Sequence, residues 1–269
     1  MNTIMEKREL LRDIRAVLAC HESCSISPYP ASDELLSFFE VCARSRTQAT
    51  PPVRRETVEQ KKSSAAVPPG TKVRVHRKIN HGVLTDIEGE VGRCRSCSLS
   101  EKRSVSTAGR GGGGGNIRLM IVGHWLPVQG EGGSGSVFGA DEDRMVDRML
   151  TAINLSENEV FVTNVIKCGV APGVQPQAEH IDACLSYLQR QIAALQPEII
   201  CTMGMVSTRT LLRFSQPLSK LRGSFYNYKA SDGLTIPLLP TYHPGYLLQN
   251  PEMKKATWKD LQAIQQRLG

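Results

Sequence analysis

The chain is 269 residues long, 40% hydrophobic and 22% charged, with a net charge of +7. That composition excludes a disordered or fibrous protein and leaves room for one sizeable domain with additions. No apolar run reaches the length of a membrane span, and Met1 to Arg15 carries charges where a secretory signal needs an apolar stretch. The expected compartment is the cytoplasm, where the eight cysteines serve better as metal ligands or reactive groups than as disulfides.

Charge is unevenly spread along the chain. Residues 1–43 hold four basic and seven acidic side chains, residues 44–80 ten and two, and residues 81–269 nineteen and seventeen. The first segment reads as a small helical appendage. Leu10, Leu11, Ile14, Val17 and Leu18 share one helical face, and a second short helix is expected from Asp33 to Ala43. From Thr47 to Gly70 the chain turns to Pro, Ser, Lys and Arg, which predicts a basic, disordered linker. Its charge suits either nucleic acid, through counterion release, or simple solvation of the tether.

Residues 81–269 alternate strands and helices. Strands are predicted at Arg118 to Gly123, Val160 to Val165, Glu198 to Thr202 and Ile236 to Leu239. Helices are predicted at Asp141 to Ile153, Ala178 to Leu195, Met205 to Phe214 and Glu252 to Leu268. The helix from Asp141 opens with Asp141, Glu142 and Asp143, which suits its positive end. Such alternation predicts an α/β fold with a largely parallel sheet covered on both faces, binding its ligand at the carboxyl ends of the strands. The glycine run Gly111 to Gly115 lacks the Lys-Ser/Thr ending of a phosphate loop and precedes a strand, so it reads as a flexible insertion.

Cys94 and Cys97 form a C-x2-C pair, and Cys168 and Cys184 lie on either side of a strand-to-helix connection. A helix packed back on its own strand brings the second pair together. Four converging thiolates suit a [4Fe–4S] cluster or a zinc ion, with unrelated core cysteines as the remaining alternative. Cys20, Cys24, Cys42 and Cys201 read as ordinary small apolar residues or surface thiols.

Five motifs together resemble the family 4, iron–sulfur uracil-DNA glycosylases. They are C-R-S-C at Cys94, L-M-I-V-G at Leu119, T-N-V-I-K-C at Thr163, L-R-G at Leu221 and T-Y-H-P-G-Y-L-L-Q-N-P at Thr241. The resemblance implies a three-layer α/β/α sandwich with a central four-stranded parallel sheet, and a structural [4Fe–4S] cluster on Cys94, Cys97, Cys168 and Cys184. It implies an enzyme that hydrolyses the N-glycosidic bond of uracil in DNA, working as a monomer on everted bases. A replication or repair protein is the candidate partner for the appendage.

By the same resemblance, His243 donates to uracil O2 as negative charge builds there. Asn164 reads the uracil edge with its amide. Phe138 stacks on the base, with Gly123 and Pro127 in the same motif. Tyr246, Leu247 and Leu248 form a loop that wedges into the minor groove, and Arg222 contacts phosphate.

The first motif departs from the family's G-E-A-P-G-x2-E-D-x2-G-x-P-F. Here Gly123 is followed by His124, Trp125, Leu126 and Pro127, then Glu131, Gly132, Gly135 and Phe138. Aligned on the proline, one carboxylate is lost, Gly132 replaces another, and Glu131 remains to orient water or balance a cationic sugar. The stretch after Cys168, G-V-A-P-G-V-Q-P, lacks the family's arginines. These departures support an alternative, a catalytically weakened iron–sulfur DNA-binding protein of the same fold. A zinc-stabilised nucleotide hydrolase on a similar sheet is a further reading.

Overall fold

A computed structural model describes residues 79–113, 115–128 and 135–269. The appendage at 1–43, nearly all of the basic stretch 44–80, and Glu131 and Gly132 lie outside the described residues.

Six strands form one sheet: β1 (Arg110–Gly111), β2 (Leu119–Gly123), β3 (Val160–Asn164), β4 (Ile199–Met203), β5 (Tyr226–Lys229) and β6 (Thr235–Thr241). Their order is β1-β3-β2-β4-β6-β5. The inner four, β3, β2, β4 and β6, run parallel, as the strand–helix alternation predicts. The two edges are antiparallel additions that the sequence reading does not contain.

One edge corrects the reading of the glycine run as a flexible insertion at its first residue, Gly111. Arg110 and Gly111 pair with Val162 and Phe161. The glycines are there because the backbones touch: a β-carbon on Gly109 would lie 2.6 Å from the Val162 carbonyl oxygen, at a φ of 135° that side chains disfavour.

The parallel strands are buried on both faces, and their side chains alternate between two cores. Met120 and Val122 face a core with Val165, Leu188, Ile192, Leu195 and Leu238. Leu119 and Ile121 face the other, with Val146, Leu150, Leu239, Leu261 and Ile264. The first face carries α4 (Ala178–Leu195), and the second carries α3 (Ala140–Ala152) and α8 (Lys254–Leu268). Further helices are α1 (His81–Arg93), α2 (Leu99–Lys102), α5 (Met205–Leu212), α6 (Leu218–Leu221) and α7 (Pro244–Gln249). Among the described residues no helix is long and apolar enough to cross a membrane.

A charge pair between half-buried Arg222 and buried Asp260 ties α8 to the sheet. Arg222, just after α6, donates from Nε and Nη2 to the two carboxylate oxygens of Asp260, at 3.1 and 2.8 Å, and also to the Ala256 carbonyl. Thr241, at the end of β6, donates to the same carboxylate at 2.6 Å. Burial raises the Asp260 pKa, against the pull of the Thr241 and Arg222 contacts. Arg222 is thus engaged in holding the fold, which bears on its expected phosphate role. Arg222→Met leaves a buried carboxylate without its cation and should lower unfolding stability by about 3–5 kcal/mol, measured by urea denaturation. Loss of under about 1 kcal/mol would show that the pair contributes little.

Candidate functional site

The parallel register sets the site. Gly123 and Asn164 end neighbouring strands side by side, and Met203 pairs with Thr241 on the other two. Two residues beyond Thr241 stands His243, so glycine, amide and imidazole come from three strand ends.

Gly123 is required by close packing. A β-carbon there would overlap the Phe138 ring and lie 2.5 Å from the Asn164 Oδ1. Phe138 is fully buried and meets the His243 ring edge-on, with centroids 5.4 Å apart. The Ser136–Phe138 turn carrying that ring hangs on one buried carboxylate. Asp143 accepts from the Ser136 hydroxyl at 2.6 Å, from Val137 N–H at 2.9 Å and from Phe138 N–H at 3.3 Å.

Asn164 is fully buried. Its Nδ2 donates to the Val137 carbonyl, which fixes the amide so that Oδ1 is the free end. Oδ1 has no partner among the described residues. His243 caps α7: its Nδ1 accepts from the Gly245 N–H at 3.1 Å. The proton of the neutral ring is therefore on Nε2, which is also buried without a partner among the described residues. Two orphaned polar atoms in one buried region, an acceptor and a donor, mark a place where a polar ligand completes the hydrogen bonding.

His124 packs against His243, with centroids 4.0 Å apart, and against Trp125 at 4.2 Å. Burial draws the His124 pKa down to about 4. Burial, with His124 beside it, holds His243 well below the ordinary imidazole range.

The other expected residues are placed as follows. Pro127 is exposed and bridges to Val170. Tyr246 and Leu248 are exposed, at 42% and 38%. Leu247 is fully buried, which corrects its reading as part of a wedge. The expected loop after His243 is helix α7, whose turn points Leu247 into the protein and its two neighbours outward.

The four cysteines come from two places. Cys94 caps the end of α1 and Cys97 follows it, while Cys168 and Cys184 are buried. Cys168 lies four residues beyond the end of β3. Cys168 feels the charges of Cys94 and Cys97, and Cys184 those of Cys168 and Cys97, so the sulfurs share one neighbourhood. Burial pushes the Cys168 thiol up, and that of Cys184 to about 11. Among the described residues no three such side chains are drawn into a closed metal cage. The donor chemistry nonetheless fits a thiophilic centre, since a bound cation supplies what keeps buried thiols deprotonated.

Two residues that the sequence reading passed over support this region. Arg103 donates to Cys168 Sγ at 3.3 Å, and to the carbonyls of Val91 and Gly92 at 3.0 and 2.7 Å. Lys167 is buried, with Nζ bonded to Thr163 Oγ1 and the Asn164 carbonyl at 2.7 Å and to Gln191 Oε1 at 2.6 Å. A lysine inside the apolar run V-I-K-C was the available signal.

The family model described as "Uracil DNA glycosylase superfamily" matches residues 111–262. The chain belongs to that superfamily. A type-4 uracil-DNA glycosylase of Saccharolobus solfataricus is 33% identical over 187 residues, covering 68% of this chain and 85% of the relative. That of Sulfurisphaera tokodaii is 33% identical over 189 residues, covering 68% and 84%. That of Pyrobaculum aerophilum is 30% identical over 172 residues, covering 62% and 86%. These matches put the chain with the type-4 enzymes.

Two outcomes are expected. Gly123→Ala should displace Phe138 or Asn164 and abolish ligand binding at this site, with the far-ultraviolet circular dichroism unchanged. The imidazole resonances of His124 and His243 should stay constant as pH falls through about 6.5, where free histidine titrates. Over that window the unfolded chain takes up protons and the folded one does not, so stability should fall on acidification towards the His124 value of about 4. A midpoint near 6.5 for either ring would show that water reaches it freely.

Proposed function

We propose that this chain is a DNA repair enzyme that hydrolyses the N-glycosidic bond of uracil, the product of cytosine deamination, in DNA. One observation carries the reading: Asn164 Oδ1 and His243 Nε2 are a buried acceptor and a buried donor with nothing to bond to among the described residues. Uracil supplies both complements, N3–H for the amide oxygen and O2 for the imidazole. Cytosine has a lone pair at N3 and meets the fixed Oδ1 with repulsion, so the Val137 contact that orients the amide is also the source of selectivity.

When the bond breaks, uracil leaves as an anion with charge on O2. A neutral Nε2–H donor in a dry site stabilises that charge as it forms and needs no rearrangement. Phe138 supplies the stacking surface beside Gly123, and Pro127 belongs to the same segment. Glu131 orients the attacking water. Tyr246 and Leu248, exposed on α7, fill the space that the everted nucleotide leaves. The substrate is uracil-containing DNA and the enzyme acts as a monomer in the cytoplasm, where thiols stay reduced. Residues 1–43 are a candidate site for a repair or replication partner.

Cys94, Cys97, Cys168 and Cys184 hold a [4Fe–4S] cluster, which joins α1 to the connection between β3 and α4 and supplies structure and not chemistry. Arg103 supports it by donating to the Cys168 sulfur.

The test is release of uracil from single- and double-stranded oligonucleotides. His243→Ala and Asn164→Ala should each lower the single-turnover rate by about 100- to 1,000-fold. Protein that binds uracil-containing DNA and releases no base would instead be the weakened binding protein of the same fold. Anaerobically purified protein should be brown, with four irons for each chain. Zinc without iron would overturn the cluster assignment.

A further inference from the structure

We infer that Glu142 is a catalytic carboxylate, facing the sugar of the everted nucleotide and stabilising its cation. The inference rests on the reading above. It starts from the first turn of α3, where three consecutive carboxylates go to three different places. Asp141 pairs with Arg144 on the exposed surface. Asp143 turns inward and holds the Phe138 turn. Glu142 is half-buried and has neither a hydrogen bond nor an ion pair among the described residues.

Two glycines leave room for it. The carboxylate folds over Gly139, where a β-carbon would overlap Oε2. Its other oxygen, Oε1, lies 3.4 Å from where the β-carbon of Gly245 would stand, and that same point is 3.3 Å from His243 Nδ1. One glycine follows the buried Phe138 and the other follows the histidine cap by two residues. Glu142 therefore occupies the rim between the two segments that enclose the base.

The chemistry of uracil says what stands at that rim. O2 is carried on C2, which is bonded to N1, and N1 carries the sugar. A base whose O2 points at His243 thus has its C1′ on the histidine side of the pocket. When the bond between N1 and C1′ breaks, the electron pair leaves with uracil and positive charge spreads over C1′ and the ring oxygen. A carboxylate on that side attracts the cation. Water then bonds to C1′ and loses its proton to solvent, giving the abasic sugar, while uracil takes up a proton elsewhere. The anionic leaving group and the anionic side chain are kept apart by the imidazole, which donates to one and lies beside the other.

The experiment uses the full-length protein and Glu142→Gln, which keeps size and removes charge. Single-turnover uracil release should fall about 100-fold. The wild type should bind DNA with a cationic pyrrolidine in place of the target sugar about tenfold more tightly than DNA with a neutral tetrahydrofuran, and the variant should lose that preference. Glu142→Asp should recover part of the rate. The thermal midpoint should fall only slightly, through loss of one charge at the positive end of α3, because the carboxylate has no internal hydrogen bond to lose. Wild-type rate and cation preference in Glu142→Gln would overturn the inference and leave the uracil reading standing. A wild type that binds both sugar analogues equally would overturn it too. A wild type that releases no uracil would overturn the uracil reading itself.

Discussion

The site depends on one absence of atoms. Residue 123 has no side chain, and into the space a β-carbon would take come the Phe138 ring and the Asn164 amide oxygen. Because β2 and β3 run parallel and in register, Gly123 and Asn164 are neighbours by backbone hydrogen bonding alone. The amide and the histidine are then close by their strand ends, and the Ser136–Phe138 turn, held by Asp143, brings the aromatic surface to them. Packing at this density leaves no freedom to shift, which is what an orienting site needs.

Around that contact, polar groups are buried only where several partners answer them. Asp143 takes bonds from three donors, Lys167 gives three, and Asp260 receives Arg222 and Thr241. Each group holds a segment next to the site: the turn of Phe138, the end of β3, and the strand that leads to His243. Of the five buried side-chain atoms without partners among the described residues, Asn164 Oδ1 and His243 Nε2 are the two at the strand ends beside Phe138. An acceptor and a donor left open in one region mark a place for a polar ligand.

The thiols belong to the same economy of support. Lys167 stands between Asn164, whose carbonyl it holds, and Cys168, its neighbour in the chain. Arg103 joins Cys168 to the end of α1, where Cys94 begins the first pair. The Asn164 amide and the cysteine region are therefore successive parts of one connection.

Much was legible before the fold was known. The four parallel strands, the main helices and the grouping of Asn164 and His243 at strand ends follow from hydrophobic periodicity and from motifs on either side of it, because both are local. The edge strands β1 and β5 were not legible: two glycine-flanked residues and a polar four-residue strand have no periodic signal, and only pairing with β3 and β6 makes them strands. The inward turn of Leu247 and the Asp260 partner of Arg222 were not legible for the same reason. Their sequence neighbours do not say that one turns into the core and the other meets Asp260, 38 residues on. What the sequence by itself determined is which elements exist and which chemical groups stand at their ends. Only the tertiary structure decided which of those groups are satisfied and which are left open, because a hydrogen bond between distant residues depends on distance in space, which linear order does not carry.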